Sequence, residues 1–164
     1  MRSLRPAAAL AGAAIFALSG CSLLGGADDP ERDEDTGEIV ESTDETDVFA
    51  IRVGDCVETA DLGTEVQTIP TRPCSEAHDS EVYAGTEMTD ADFPGDEATD
   101  AQADDFCYGE FNQFVGLAFE ESVLGYMYLM PSEQTWNELD DREILCLVVD
   151  PSGGVTGTMK GAAR

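Results

Sequence analysis

The stretch "REILCLVV", residues 142–149, is the most apolar and β-rich run in the chain. Its uninterrupted aliphatic residues are typical of a buried strand. Ser152-Gly153-Gly154 follows as a turn, and "VTGTMKG", residues 155–161, is predicted to form the last strand. Cys146 lies inside the apolar run, so any bridge that it makes is expected to lie in the core.

Four further runs upstream read as strands, because apolar residues alternate with polar ones or follow one another over a short length bounded by turn residues. They are "VFAIRV" (48–53), "TEVQTIP" (64–70), "SEVYAGTE" (80–87) and "SVLGYMYLMP" (122–131). The pattern predicts an antiparallel sheet.

One long segment, residues 94–116, is predicted to be helical. Carboxylates crowd its first turns, where the helix dipole favours negative charge, Asp96 or Asp100 is expected to cap it, and Gly116 is expected to end it. Four residues at helical spacing form one face: Ala103, Cys107, Phe111 and Phe114. This face is expected to pack on the sheet.

The N-terminus indicates export. Arg2 and Arg5 precede an apolar run, residues 7–18, which is shorter than the ~20 residues that a transmembrane helix needs. The run ends in "LSGC" (18–21), which looks like a bacterial lipobox, so residues 1–20 are predicted to be a signal peptide and Cys21 the diacylated first residue of the mature chain. We therefore expect a protein held at the extracytoplasmic face of the cell membrane by its lipid. The alternative is a soluble secreted protein with a free Cys21.

The segment that follows is strongly acidic. Residues 22–47 carry eleven carboxylates and one arginine, so residues 21–47 are predicted to be a lipidated, disordered linker, and residues 48–164 one folded domain. Calcium binding by the linker is the alternative, but no Asp-x-Asp-x-Asp-Gly loop is present. The mature chain has a formal charge of −29, from six basic and 35 acidic residues. This charge repels nucleic acid, so no nucleic-acid partner is expected.

Four cysteines remain in the folded part: Cys56, Cys74, Cys107 and Cys146. An even number in an exported domain favours two disulfides. A zinc site is the competing interpretation, but zinc ligands usually come in close pairs, and these cysteines are separated by 18, 33 and 39 residues. No metal or cofactor is expected.

The predicted elements favour one of the three pairings. Cys56 closes the first strand and Cys74 follows the next, so antiparallel neighbours would bring them together. Cys107 lies on the apolar helix face and Cys146 in the most buried strand, so their bridge would join helix to sheet. The predicted fold class is therefore α+β: a small antiparallel sheet with one main helix packed on a face and two disulfides.

His78 is the only histidine in the chain and follows Cys74 by four residues. If Cys74 is oxidised, it is neither a thiolate nucleophile nor a metal ligand, and His78 has no partner for such chemistry. A hydrolase triad with Asp79 and a distant serine is conceivable on paper, but the chain has no Gly-x-Ser-x-Gly motif. We interpret His78 as a hydrogen-bonded structural histidine beside the disulfide and expect no catalytic residues.

Three groups of residues carry a family resemblance. They are "VGDC" (53–56), "PCSEAHDSEVY" (73–83), and Trp136 followed by Asp141-Arg142 and Cys146. In order and spacing they resemble the septum-formation domain family of exported or membrane-anchored actinobacterial proteins, from about Val48 to about Gly161. The chain departs from the family pattern at Ala77, where the family often has proline, and at Asp140, where it often has glycine.

The resemblance implies an extracytoplasmic domain linked by name to septum formation, without catalytic residues or a cofactor. Trp136 is expected to pack at the domain edge over the Pro131 loop, and Arg142 to pair with Asp141 or Asp55. The alternative is a binding role for Trp136 and Arg142, since these residue types are enriched in interface hot spots. With His78, they are the candidate binding residues.

The functional hypothesis is a non-enzymatic, lipid-anchored interaction module of the cell envelope whose partner belongs to the envelope or division machinery. One alternative is a cell-wall hydrolase using a carboxylate pair, which would show a pair with shifted pKa values in a cleft. Another is a surface protein that binds divalent cations. The acidic composition does not discriminate between these classes.

Overall fold

The computed structural model describes residues 29–164, so the predicted signal peptide and the lipid-bearing Cys21 lie outside the described residues. The described part forms strands β1 (Thr43–Asp47), β2 (Cys56–Val57), β3 (Thr68–Arg72), β4 (Ser80–Glu87), β5 (Gly125–Leu129) and β6 (Glu143–Val149), and helices α1 (Asp96–Val115) and α2 (Glu133–Glu138). All strand pairs are antiparallel. The α+β class is confirmed.

The six strands form one sheet in the order β1-β3-β2-β4-β6-β5. β6 coincides with the apolar run that opens the sequence argument, and it lies between β4 and β5. Ile144, Cys146 and Val148 pack into the core beneath α1, while Leu145 and Leu147 belong to a second cluster on the opposite face. After the exposed Glu143, β6 is apolar because both of its faces are covered.

Helix α1 packs on one face of the sheet through Ala103, Cys107 and Phe111, which are buried as predicted. Gly116 ends the helix in the left-handed conformation, with φ of 81°, which glycine adopts without steric cost. The predicted cap at Asp96 or Asp100 is wrong, because Gly95 precedes the first helical residue. No helix within residues 29–164 is long and apolar enough to cross a membrane.

Two disulfides staple the domain, and both predicted pairings are confirmed. Cys56 joins Cys74, and Cys107 joins Cys146 with 5.4 Å between the two Cα atoms. The second bridge links α1 to β6 in the middle of the core, where both cysteines are fully buried. It fixes the helix against the strand beside β5.

The acidic segment before residue 48 contributes to the fold, so the prediction of a disordered linker up to Asp47 is wrong. Residues 43–47 form β1, an edge strand that pairs with β3. Thr46 is buried, and its hydroxyl lies 2.7 Å from the hydroxyl of Thr71. A polar strand forms here because its backbone pairs with β3 and its one buried side chain finds a polar partner.

An ion pair ties the chain upstream of β1 to the domain. Arg32 donates to both carboxylate oxygens of Asp55, at 2.6 and 2.7 Å, and to the carbonyl oxygen of Ala50. Asp55 is only 4% exposed. The carboxylate of Asp55 is therefore buried and accepts two charge-assisted hydrogen bonds. The composition of the acidic segment does not indicate such a contact.

Two predicted strands are wrong. Val48–Ala50 form a 3-10 turn, and residues 155–161 form a loop in which only Val155 makes a single bridge, to His78. That loop is held by the carboxylate of Glu81, which accepts hydrogen bonds from the Thr158 hydroxyl and the Met159 N–H. The carboxylate of Glu81, rather than a ladder of backbone hydrogen bonds, therefore holds this loop in place.

Candidate functional site

Trp136 lies in α2, an element that the sequence argument did not predict. The indole is 3% exposed rather than lying at the domain edge, and it contacts the ring of Phe93 edge-on. The guanidinium of Arg142 stacks on the indole, 3.6 Å from the ring centroid. This cation–π pair joins α2 to the start of β6.

The polar contacts of Arg142 are local. Its guanidinium donates to the carbonyl oxygens of Trp136 and Asp141 and pairs with the carboxylate of Asp140 at 3.0 Å. The predicted ion pair with Asp141 or Asp55 is therefore wrong. Asp140 has φ of 57°, a left-handed conformation that aspartate tolerates better than most residues. This explains why glycine suits the same position of the family pattern.

His78 joins two segments of chain. Its backbone forms the bridge to Val155, its side chain is buried, and Nδ1 lies 2.9 Å from the carbonyl oxygen of Glu76. Because a carbonyl oxygen only accepts, Nδ1 carries the hydrogen of this bond. Among the described residues, Nε2 has no hydrogen-bond partner. A binding role for His78, Trp136 or Arg142 stays a prediction.

A groove of about 410 Å³ lies beside His78. The carboxylates that line it are Asp44, Glu58, Asp61 and Asp79. Asp79 accepts hydrogen bonds from Thr59 and Ala60, and Arg72 pairs with two of the others. In residues 29–164, no group of three or more histidine, cysteine or carboxylate side chains is arranged to hold a metal ion.

A set of tyrosine–aspartate pairs that was not predicted from the sequence joins β5 to α1. Tyr126 donates its hydroxyl hydrogen to Asp104, and Tyr128 donates to Asp100, each at 2.7 Å. Burial raises the pKa of Tyr128 to about 12, and its bond to Asp100 adds to the effect. Burial and then the bond to Asp104 also raise the pKa of Tyr126. Both tyrosines therefore stay protonated and keep donating at neutral pH.

A second depression, of about 460 Å³, lies at these pairs. It is lined by Asp104, Phe119, Tyr126, Met127 and Tyr128. Successive side chains of a strand point to opposite faces, so a depression that touches both tyrosines and Met127 runs along the outer edge of β5. The spacing of Tyr126 and Tyr128 is the sequence signal that could have placed both tyrosines on one face of the strand.

Comparison with known proteins gives one match. A family model described as "Septum formation" matches residues 21–138 and 53–164. The chain belongs to the septum-formation family. No curated protein and no solved structure matches the chain.

The residues that carried the septum-formation resemblance occupy scaffold positions in the described structure. Gly54 donates its N–H to the carbonyl oxygen of Val82, Cys56 is bridged, and Trp136 stacks with Arg142. The family motifs thus specify how the domain is held together, whereas β5 contributes none of them.

Proposed function

We propose that the protein is a non-enzymatic, lipid-anchored domain at the extracytoplasmic face of the cell membrane that binds a protein of the envelope or division machinery. The observation that carries this proposal is the membership of the septum-formation family. The description of the family names septum formation, so we expect the partner at the site where the septum forms.

The lipid anchor rests on the sequence. Arg2 and Arg5, the apolar run and "LSGC" (18–21) together have the form of a lipoprotein signal. Two acyl chains on Cys21 suffice for stable anchoring, whereas a single chain gives only marginal binding. The charge of the mature chain keeps the folded domain clear of anionic headgroups.

Three of the four carboxylates in the groove beside His78 have partners within the fold, which supports a non-enzymatic role. The carboxylate of Asp79 receives its hydrogen bonds from Thr59 and Ala60, an arrangement that fixes a turn. Asp44 and Glu58 share Arg72 as a partner. Hydrolysis of cell-wall fragments by the purified protein, abolished by one substitution of a groove carboxylate, would overturn the non-enzymatic proposal.

The position of the protein in dividing cells tests the proposal. We expect a tagged copy to sediment with membranes and to concentrate at the division site, and Cys21→Ala to be lost from both places because it lacks the lipid. Ser22→Ala is the matched control, since it changes the neighbouring residue and keeps the acylated thiol. Fractionation and fluorescence microscopy measure both properties.

Each part of the proposal has its own contradicting outcome. A wild-type copy distributed evenly around the envelope would overturn the septal role. If Cys21→Ala stays in the membrane fraction as Ser22→Ala does, the prediction of a lipid anchor on Cys21 is wrong.

A further inference from the structure

The two edges of the sheet differ in charge. β1, at one edge, carries Asp44, Glu45 and Asp47. β5, at the other edge, lies in a stretch without a charged side chain from residue 122 to residue 132. Charged residues on an edge strand oppose pairing with another chain, and an uncharged edge permits it. β5 is therefore the edge suited to accept a further strand.

The backbone of β5 is open on its outer side. Within residues 29–164, β5 pairs with β6 alone. In an antiparallel pair, alternate residues direct their N–H and C=O groups away from the partner strand, so β5 has unpaired donors and acceptors along this edge. Val123 and Met130, just outside the strand, are 65% and 37% exposed. The edge is accessible and flanked by apolar side chains.

The two sides of this edge have different chemistry. On the side of α1, Tyr126 and Tyr128 lie beneath the exposed carboxylates of Asp104 and Asp100. On the opposite side, Met127 and Leu129 are partly buried against the second apolar cluster. A strand added here would place alternate side chains beside the carboxylates and beside the apolar residues.

We propose that β5 binds an extended segment of a partner protein in which basic and apolar residues alternate, and that this segment becomes the seventh strand of the sheet. Basic residues would lie next to Asp100 and Asp104 and over the tyrosine rings, where cations are favoured. Apolar residues would cover Met127 and Leu129. The segment would belong to the envelope or division protein of the proposed function, on which this inference rests.

Charge disfavours a second copy of the chain as the occupant. Two β5 strands side by side would bring together two pairs of aspartates, from chains that each carry −29. The same charges favour a basic segment and increase its rate of encounter. The disulfide between Cys107 and Cys146 holds α1 against β6, so the aspartates and the strand edge are positioned before binding.

Peptide binding to the full lipidated chain in detergent tests the inference. The probe is a fluorescent peptide of four lysines alternating with four valines, and the comparison peptide has the same residues as a lysine block followed by a valine block. Fluorescence anisotropy is expected to give a Kd about tenfold lower for the alternating peptide, because only alternation matches both sides of the edge.

Variants locate the site. Asp100→Asn with Asp104→Asn is expected to weaken binding of the alternating peptide about tenfold, as expected for the loss of two exposed charge pairs. Glu41→Gln with Glu65→Gln makes the same change in net charge in the exposed segments before β1 and β3, at the other end of the strand order, and is expected to leave Kd within about twofold. Circular dichroism of each variant checks the fold.

Three outcomes would overturn the inference: equal binding of both peptides, equal weakening by both double variants, or a dimer of the chain in sedimentation that Met127→Lys dissociates. The last would show that β5 pairs with a second copy. Enrichment at the division site without peptide binding would overturn this inference and leave the proposed function standing.

Discussion

Replacement of Cys107 and Cys146 together by alanine is expected to lower the free energy of unfolding by about 4 kcal/mol, the chain-entropy value for a bridge that closes 39 residues. Small domains have only about 5–15 kcal/mol in total, so this loss removes a large fraction of the stability of the domain. Urea unfolding followed by circular dichroism measures the loss.

The other disulfide provides the control. Removal of Cys56 and Cys74, which are 18 residues apart, is expected to cost about 3 kcal/mol by the same relation. The Cys107–Cys146 bridge also lies wholly in the core, where its loss leaves unfilled volume. An equal or larger loss on removal of Cys56–Cys74 would contradict the expectation that Cys107–Cys146 contributes more to the free energy of unfolding.

Arg32→Ala is expected to lower the free energy of unfolding by about 3–5 kcal/mol, because it leaves a buried charge without its partner. Asp55 is 4% exposed and accepts both guanidinium hydrogen bonds. Once Arg32 is removed, the carboxylate keeps its bond from the Arg52 N–H. Denaturant titration of the variant measures the effect.

Arg72→Ala is the matched control. Arg72 pairs with Asp44 and Glu58, whose side chains are 82% and 42% exposed, so its ion pairs are expected to be worth about 0–1 kcal/mol. A loss for Arg32→Ala no larger than that for Arg72→Ala would mean that the segment before β1 is not part of the folded domain.

Those parts of the fold with strong local patterns could be predicted from the sequence. β6 follows from an uninterrupted aliphatic run, and β4 coincides with the predicted 80–87. Helix α1 follows from its buried face and from Gly116. The disulfides followed once these elements were placed, because a helix face and a buried strand can be bridged across a core.

The parts that depend on distant contacts could not be predicted. β1 has no apolar pattern, and it forms only because β3 is there to pair with it. Arg32 and Asp55 are 23 residues apart in the sequence. Arg32 lies in an acidic segment whose composition alone resembles that of a disordered linker. Composition describes the average behaviour of such a segment and misses a single buried ion pair.

The candidate binding edge depends on strand order. The sequence indicated that residues 122–131 form a strand, but it did not show that the strand lies at the edge of the sheet. Trp136 and Arg142 were instead candidate binding residues because of their residue types, and in the structure their side chains stack on each other. An edge becomes visible only when all strand neighbours are known.

We propose that this septum-formation domain binds its partner through β5, and the position of Met127→Lys in dividing cells tests this, because a lysine on an edge strand opposes strand addition. The control, Glu65→Gln, makes the same change in net charge in an exposed loop. We expect Met127→Lys to stay on the membrane but to spread around the envelope, while the control concentrates at the division site. Enrichment of both variants at that site would contradict partner binding through β5.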